Sequence, residues 1–491
     1  MKLKSRKKII STCLFVFFMA TSIMFGQVGI GTVTPDASSV FDVTSNTKGM
    51  LTPRMTSAQR TSITSPADGL IVYDTDVKAF YHYNSLTSLW VKISSQADGR
   101  LKYKLIKSTD VLATALATEL AAGGGSKYLL DTGTLYEING TILVNFPIEI
   151  NNAYLTGGDS GEDKLIKATG DLFTGTTGGT IRLLNLVAST GNIFNIDGAS
   201  TANLIFRDSI VASSSSVGTI KNFSLVFVSV IQYIGNTNGI IYENISKLLL
   251  SNTGWFSNNT GIYEKIVGTF GLITKQGGFS EVTGTSIGFD VSSNPTITGD
   301  AVLEGAVFTG TVTTGKYVNP YTVGSYTGFN FNNRWSVRCP GIPTEVDAVA
   351  TGDINFDYPV GSGSSTTLTP TGTNFKLTGT TTSNNLFRFS RGGTDNRLQY
   401  LGSKKRFFRV SGSASFQASA TGTIYIFFIA KNGVVINQSK VYLNSNSVND
   451  ILAPSIETSV ELSTNDYIEI YAQRYSGTGN ILTVSLNAVI N

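Results

Sequence analysis

The chain has 491 residues, room for two to four domains, with 14% charged residues, 51 Gly and 41% apolar residues. The apolar fraction excludes a disordered chain, and the charge-poor, turn-rich remainder predicts an extended all-β protein with little helix. The formal charge of +4 arises from 37 Lys+Arg against 33 Asp+Glu, but five of the basic residues and none of the acidic ones fall in the first 26 positions, so the rest is close to neutral and nothing argues for nucleic acid.

Lys2, Lys4, Arg6, Lys7 and Lys8 precede an apolar run from Ile9 to Phe25 that contains Ala20, Thr21 and Ser22. This is the pattern of a secretory signal peptide over residues 1-26, cleaved before Gln27, with Met24 at the −3 position as a departure from the usual small residue. The expected product is secreted or displayed on the extracellular cell surface, with no membrane span after leader cleavage. Cys13 lies inside the apolar run, so Cys339 is the one cysteine expected in the mature chain. An intrachain disulfide and a thiolate zinc site are thereby excluded, and neither a metal nor another cofactor is expected.

The next segment, 27-95, contains Gln27-Val-Gly-Ile-Gly-Thr32, Phe41-Asp-Val43, Lys48-Gly-Met-Leu-Thr-Pro-Arg-Met-Thr56 and Ala58-Gln-Arg60. It continues with Gly69-Leu-Ile-Val-Tyr-Asp-Thr75, Phe80-Tyr-His-Tyr-Asn84 and Trp90-Val91. Leu70 to Tyr73 and Ala79 to Tyr83 read as strands around a turn at Asp74 to Lys78. A segment under 70 residues with so few apolar positions cannot build much of a core alone, so it is expected to complete itself against copies of itself or the next domain. The string resembles the N-terminal module common in flavobacterial cell-surface proteins and related phage tail-fibre proteins, which implies a stem or attachment element. His82, the sole histidine, is read as a half-exposed strand residue, and with no nucleophile motif beside it, triad chemistry is discarded.

Residues 96-319 are expected to form a parallel solenoid. Leu112, Leu116 and Leu120 mark a helix from Asp110 to Leu120 that stops at Gly123-Gly-Gly125 and would cap the open end of the stack. Short apolar runs then recur between small-residue turns, such as Ile181 to Val187, Phe223 to Phe227, Leu248 to Leu250 and Phe270 to Ile273. Stacked parallel strands explain this better than a sandwich, which would show cleaner alternation. The opening helix and strands resemble pectate-lyase-like right-handed β-helices, the fold of many phage tailspikes.

Aligning Gly191 to Ile196, Gly239 to Ile245, Gly261 to Ile266 and Gly288 to Val291, with Ile220 between the first two, gives intervals of 26, 22, 21 and 26 residues. The alignment predicts one internal ladder of Phe194, Tyr242, Tyr263 and Phe289. It also places Glu243, Glu264 and Asp290 on one outer face, at rung spacings of ~4.8 Å that suit paired carboxylates in glycoside cleavage. The bland reading makes these solvated acids, screened by Lys221 or Lys247. Trp255, next to Phe256 in an expected turn, is a candidate sugar platform.

Residues 320-384 lose the period and read as a Gly/Ser/Thr-rich connector. In 385-491 the pattern turns antiparallel, with about eight strands and a type I′ hairpin signal at Lys431-Asn-Gly433, as in a jelly roll. Tyr425 to Gly433 and Leu462 to Ile470 resemble the trimeric tumour necrosis factor-like jelly roll at the tips of viral and bacterial fibres, which implies a homotrimer. Phe427 and Phe428 must face opposite sides of their strand, one into the core and the other towards a subunit interface.

The expected fold is therefore all-β: a right-handed parallel β-helix shaft followed by an antiparallel jelly-roll sandwich head. Two functions fit it. One is a fibre-like adhesin or receptor-binding structural protein whose tip contacts a polysaccharide or cell-surface receptor. The other is a tailspike-like polysaccharide depolymerase, hydrolase or lyase, acting at Glu243, Glu264 and Asp290.

Overall fold

The computed structural model describes residues 26–93 and 102–491, which fall in two compact units divided near residue 100. The expected signal peptide lies outside the described residues, Gly26 excepted.

The N-terminal unit contains a four-stranded sheet built from Arg54–Met55, Ile71–Asp74, Ala79–Asn84 and Leu89–Lys92. A second, parallel pair joins Val28–Ile30 to Phe41–Val43. A short helix, Ser57–Thr61, starts at a capping box between Thr56 and Gln59 and holds Arg60 over the sheet. There Arg60 bonds the buried Asp74 at 2.9 Å and lies 3.9 Å from the Tyr81 ring centroid. Ser57 and the backbone N–H groups of Asp76 and Val77 also donate to Asp74. Burial works to raise the Asp74 carboxyl, but these donors, led by Arg60, outweigh it and bring its pKa to about 2. Polar clamping thus stands in for a core: Val72 and Ala79 are the buried apolar residues, while Val40, Leu51 and Leu86 are exposed.

The second unit begins with the solenoid. From Tyr103–Lys107 to Trp335–Arg338, 23 strands join coil to coil in one parallel network. The expected capping helix is two, Leu112–Ala115 and Ala117–Ala122, because the Leu116 backbone (φ −108°, ψ 32°) interrupts the turn. Leu112 and Leu116 still enter the core. Glu119 is buried beside them, accepting from Lys104 at 2.7 Å and from the Tyr136 hydroxyl at 2.8 Å. Inward side chains form one continuous apolar column from Ile106 to Cys339, which accounts for the apolar runs seen in the sequence.

The segment 320-384 is not a connector. Trp335–Arg338 is the last rung, paired with Ala301–Glu304, and the long interval between them hides it from a period in the twenties. Gly352–Asp357, Ser364–Thr366 and Asn374–Lys376 are strands of the head. They escape notice because they are short, lie between Gly-, Ser- and Thr-rich stretches, and are held in place by longer antiparallel neighbours.

The head consists of two antiparallel sheets of six and seven strands around their own core. Arg406–Ala418 runs between Ser455–Leu462 and Ile481–Ile490 in the first, and Ile424–Lys431 pairs with Tyr467–Ser476 in the second. Asn432 and Gly433, at φ 51° and 79°, form the two-residue hairpin between Lys431 and Val434. Phe427 enters the core, whereas Phe428 on the opposite side is already buried within this chain instead of lying open. Arg388, 2% exposed, ties head to solenoid: its guanidinium donates to the Trp335 and Glu345 carbonyls and pairs with Asp347. Glu345 in turn accepts the N–H groups of Asn330 and Phe331 at 2.7 and 2.9 Å.

Candidate functional site

The pairing register decides where the expected site residues stand. One interior column runs Phe173, Phe194, Gly218, Ile240, Glu264, Phe289 and Val318. Another runs Ile196, Ile220, Tyr242 and Ile266. Tyr242 therefore stacks on Ile266 and not on Tyr263. The four aromatics are buried, but they do not share one ladder.

The three acids fall apart for the same reason. Glu243 faces outward in the column Asp197, Lys221, Glu243 and Val267. Asp290 belongs to the next outward column, after Thr219, Ile241 and Lys265, and accepts from the Ser292 N–H and the Asn319 amide. It lies two coils beyond Glu243, ~10 Å along the axis. Glu264 is inside, 1% exposed, and Asp290 is itself covered at 3%, so these three acids form no common outer face. Coil lengths drift between 22 and 25 residues here, and a fixed motif alignment cannot follow that drift.

Glu264 belongs to a polar cluster sealed in the solenoid. Lys275, standing where Leu250 and Leu303 stand in adjacent coils, donates to Glu264 Oε1 at 3.1 Å and to Thr253 Oγ1 at 2.9 Å. Trp255 stacks on Tyr263 at 4.6 Å, and Tyr233 meets Tyr263 edge-on at 5.3 Å. Trp255 is therefore a core residue, with no ring face open to a sugar. Burial pushes the Glu264 carboxyl up, and Lys275 opposes that shift. Burial first, and Glu264 second, push the Tyr233 and Tyr263 hydroxyls well above the usual phenol range. Such a cluster can fix the register of three coils, because mispairing would strand a buried charge.

A second polar device lies at a turn. Asn236 and Asn259 stack, with the Asn236 N–H donating to Asn259 Oδ1 at 2.7 Å and the Ser214 N–H to Asn236 Oδ1 at 3.0 Å. The repeated Asn-Thr pairs at 236–237 and 259–260 are the sequence signal for this turn, although their 23-residue interval differs by one from the strand pairings on either side. On the flank between them Gly218 and Gly239 open a groove of about 300 Å³ lined by Asn192, Asn238, Ile241 and Lys265. A Cβ at Gly218 would lie 2.0 Å from the Phe194 carbonyl oxygen, so glycine is required there. No carboxylate lines this groove.

Among the described residues no group of three His, Cys, Asp or Glu side chains is arranged to hold a metal, and no helix is long and apolar enough to cross a membrane. Cys339 is a buried free thiol.

Residues 29–109 match the family model described as "Phage tail like trimerisation region". That match defines a phage tail-like N-terminal region and supports a homotrimer. Among solved structures, the chain is similar to the enzymatically active domain of bacteriophage CBA120 tailspike protein 4, at 10% identity over 89% of this chain and 77% of that one. The TM-score is 0.24, and a likeness of that size carries no argument. No curated protein matches this sequence.

Proposed function

We propose that the chain is a secreted, homotrimeric, fibre-like attachment protein: an N-terminal stem that trimerises, a β-solenoid shaft, and a jelly-roll head that presents a glycan- or protein-binding surface. The observation that carries this reading is the match of residues 29–109 to a phage tail-like trimerisation region, in one chain with a parallel solenoid and a two-sheet head. The depolymerase alternative would need carboxylates other than Glu243, Glu264 and Asp290, since the register separates them. The test is attachment of the purified chain to cells or isolated envelope glycans. Saturable binding by a trimer with no release of reducing ends or unsaturated sugars supports the proposal, and release of oligosaccharides from the polymer contradicts it.

A further inference from the structure

Two clefts flank the joint between solenoid and head, and their linings differ in kind. The first, about 400 Å³, sets Asp300, Glu304 and Asp347 among Arg334, Arg338, Arg388 and Lys404. Its charges largely compensate one another. The second, about 560 Å³, has no acidic or basic side chain in its wall. Tyr326 and Phe329 line it half-buried, backed by Phe387, on which Phe329 stacks at 4.0 Å and Tyr326 meets edge-on at 5.4 Å.

Ser383, Asn384 and Asn385 also line this cleft. The backbone N–H groups of Asn384 and Asn385 donate to the Asp353 carboxylate, the shortest at 2.6 Å, which fixes the loop. Their side-chain amides are exposed and make no hydrogen bond among the described residues. The Ser383 hydroxyl, closed off from bulk solvent, has no protein partner. The cleft thus offers rings for an apolar face, amides that can donate and accept together, and a size in the range of small-molecule sites of roughly 300–1,000 Å³.

We propose that this joint cleft is a binding site for a neutral oligosaccharide, whose C–H face lies on Tyr326 and Phe329 and whose hydroxyls bond the exposed amides of Asn384 and Asn385. An uncharged wall makes an acidic sugar a poor ligand, because its carboxylate would lose water with no cation to replace it. The proposal rests on the attachment reading above, and moves the contact from the head's tip to its base.

The test is isothermal titration of the mature chain with cellotetraose, maltotetraose and N-acetylchitotetraose as neutral probes and tetragalacturonate as the charged one. At least one neutral probe binds and tetragalacturonate does not. The double variant Asn384→Ala with Asn385→Ala keeps the backbone bonds to Asp353 and weakens binding about tenfold. Thr327→Trp, at an exposed wall position, fills the cleft and abolishes binding, with an unchanged melting temperature showing that the joint is intact. The proposal is overturned if none of the neutral probes binds, if tetragalacturonate binds equally well, or if both variants bind like the parent. Cell attachment retained by the Thr327→Trp chain would leave the attachment reading standing and remove the cleft from it.

Discussion

The N-terminal unit and the solenoid solve the same problem in opposite ways. The solenoid buries its apolar residues against its own next coil, so that each of Phe194, Leu248 and Ile273 is fully enclosed by the same chain. The N-terminal unit leaves Val33, Val40, Leu51 and Leu86 more than 70% exposed and closes around a buried carboxylate instead of an apolar core. A repeat supplies its own neighbour, whereas a short module must find one, and a trimerisation region is how a chain supplies it from identical copies.

The largest effect is expected where the solenoid interior is broken. Lys275→Met leaves Glu264 buried without its counter-charge and should cost about 3–5 kcal/mol in denaturant unfolding. Glu264→Leu combined with Lys275→Met removes both charges and should recover most of that loss. Equal destabilisation by the single and the double variant would show that packing, not charge, dominates the site.

Next is the asparagine stack. Asn259→Ala removes the acceptor of the Asn236 N–H and the amide that bonds the Tyr233 and Phe256 carbonyls, so about 2–3 kcal/mol should be lost. Hydrogen exchange should rise at Asn236 and stay unchanged at Phe173, several coils away.

In the N-terminal unit the expected effect is smaller and pH-dependent. Asp74 titrates near 3.8 when unfolded and about 2 when folded. A depressed carboxyl contributes stability that is fully present above about pH 4 and lost as pH falls through about 2. Tryptophan fluorescence of Trp90, whose ring lies 5.7 Å from the Arg60 guanidinium, should follow that acid transition, and Asp74→Asn should abolish the pH dependence.

How much of this was legible in the sequence follows from what sets each element. The solenoid showed itself through apolar runs between small-residue turns, and the head hairpin through Asn432-Gly433, because both are local signals. Register was not legible from an aromatic motif: Tyr242 and Tyr263 look equivalent, yet coil length differs by one to three residues from turn to turn. The Asn-Thr pairs at 236 and 259 mark the turn but not the strands: their 23-residue interval lies between the 22 that pairs Tyr233 with Trp255 and the 24 that pairs Tyr242 with Ile266, and a slip of one residue turns every side chain to the other face. Burial of Glu264 and Trp255 depends on that register, so their placement was missed with it. The last coil was hidden by its long interval from the coil before, and the first head strands by their shortness among Gly-, Ser- and Thr-rich stretches, since their pairing comes from distant partners. Arg388, which ties head to solenoid, gives no local signal at all.

The central claim is the homotrimer built on residues 29–109, and the most direct measurement of it is the mass of the chain from Gln27 onward by light scattering. A mass of three chains, reduced when residues 27 to 93 are deleted, is the predicted result. A single-chain mass at micromolar concentration would contradict the account.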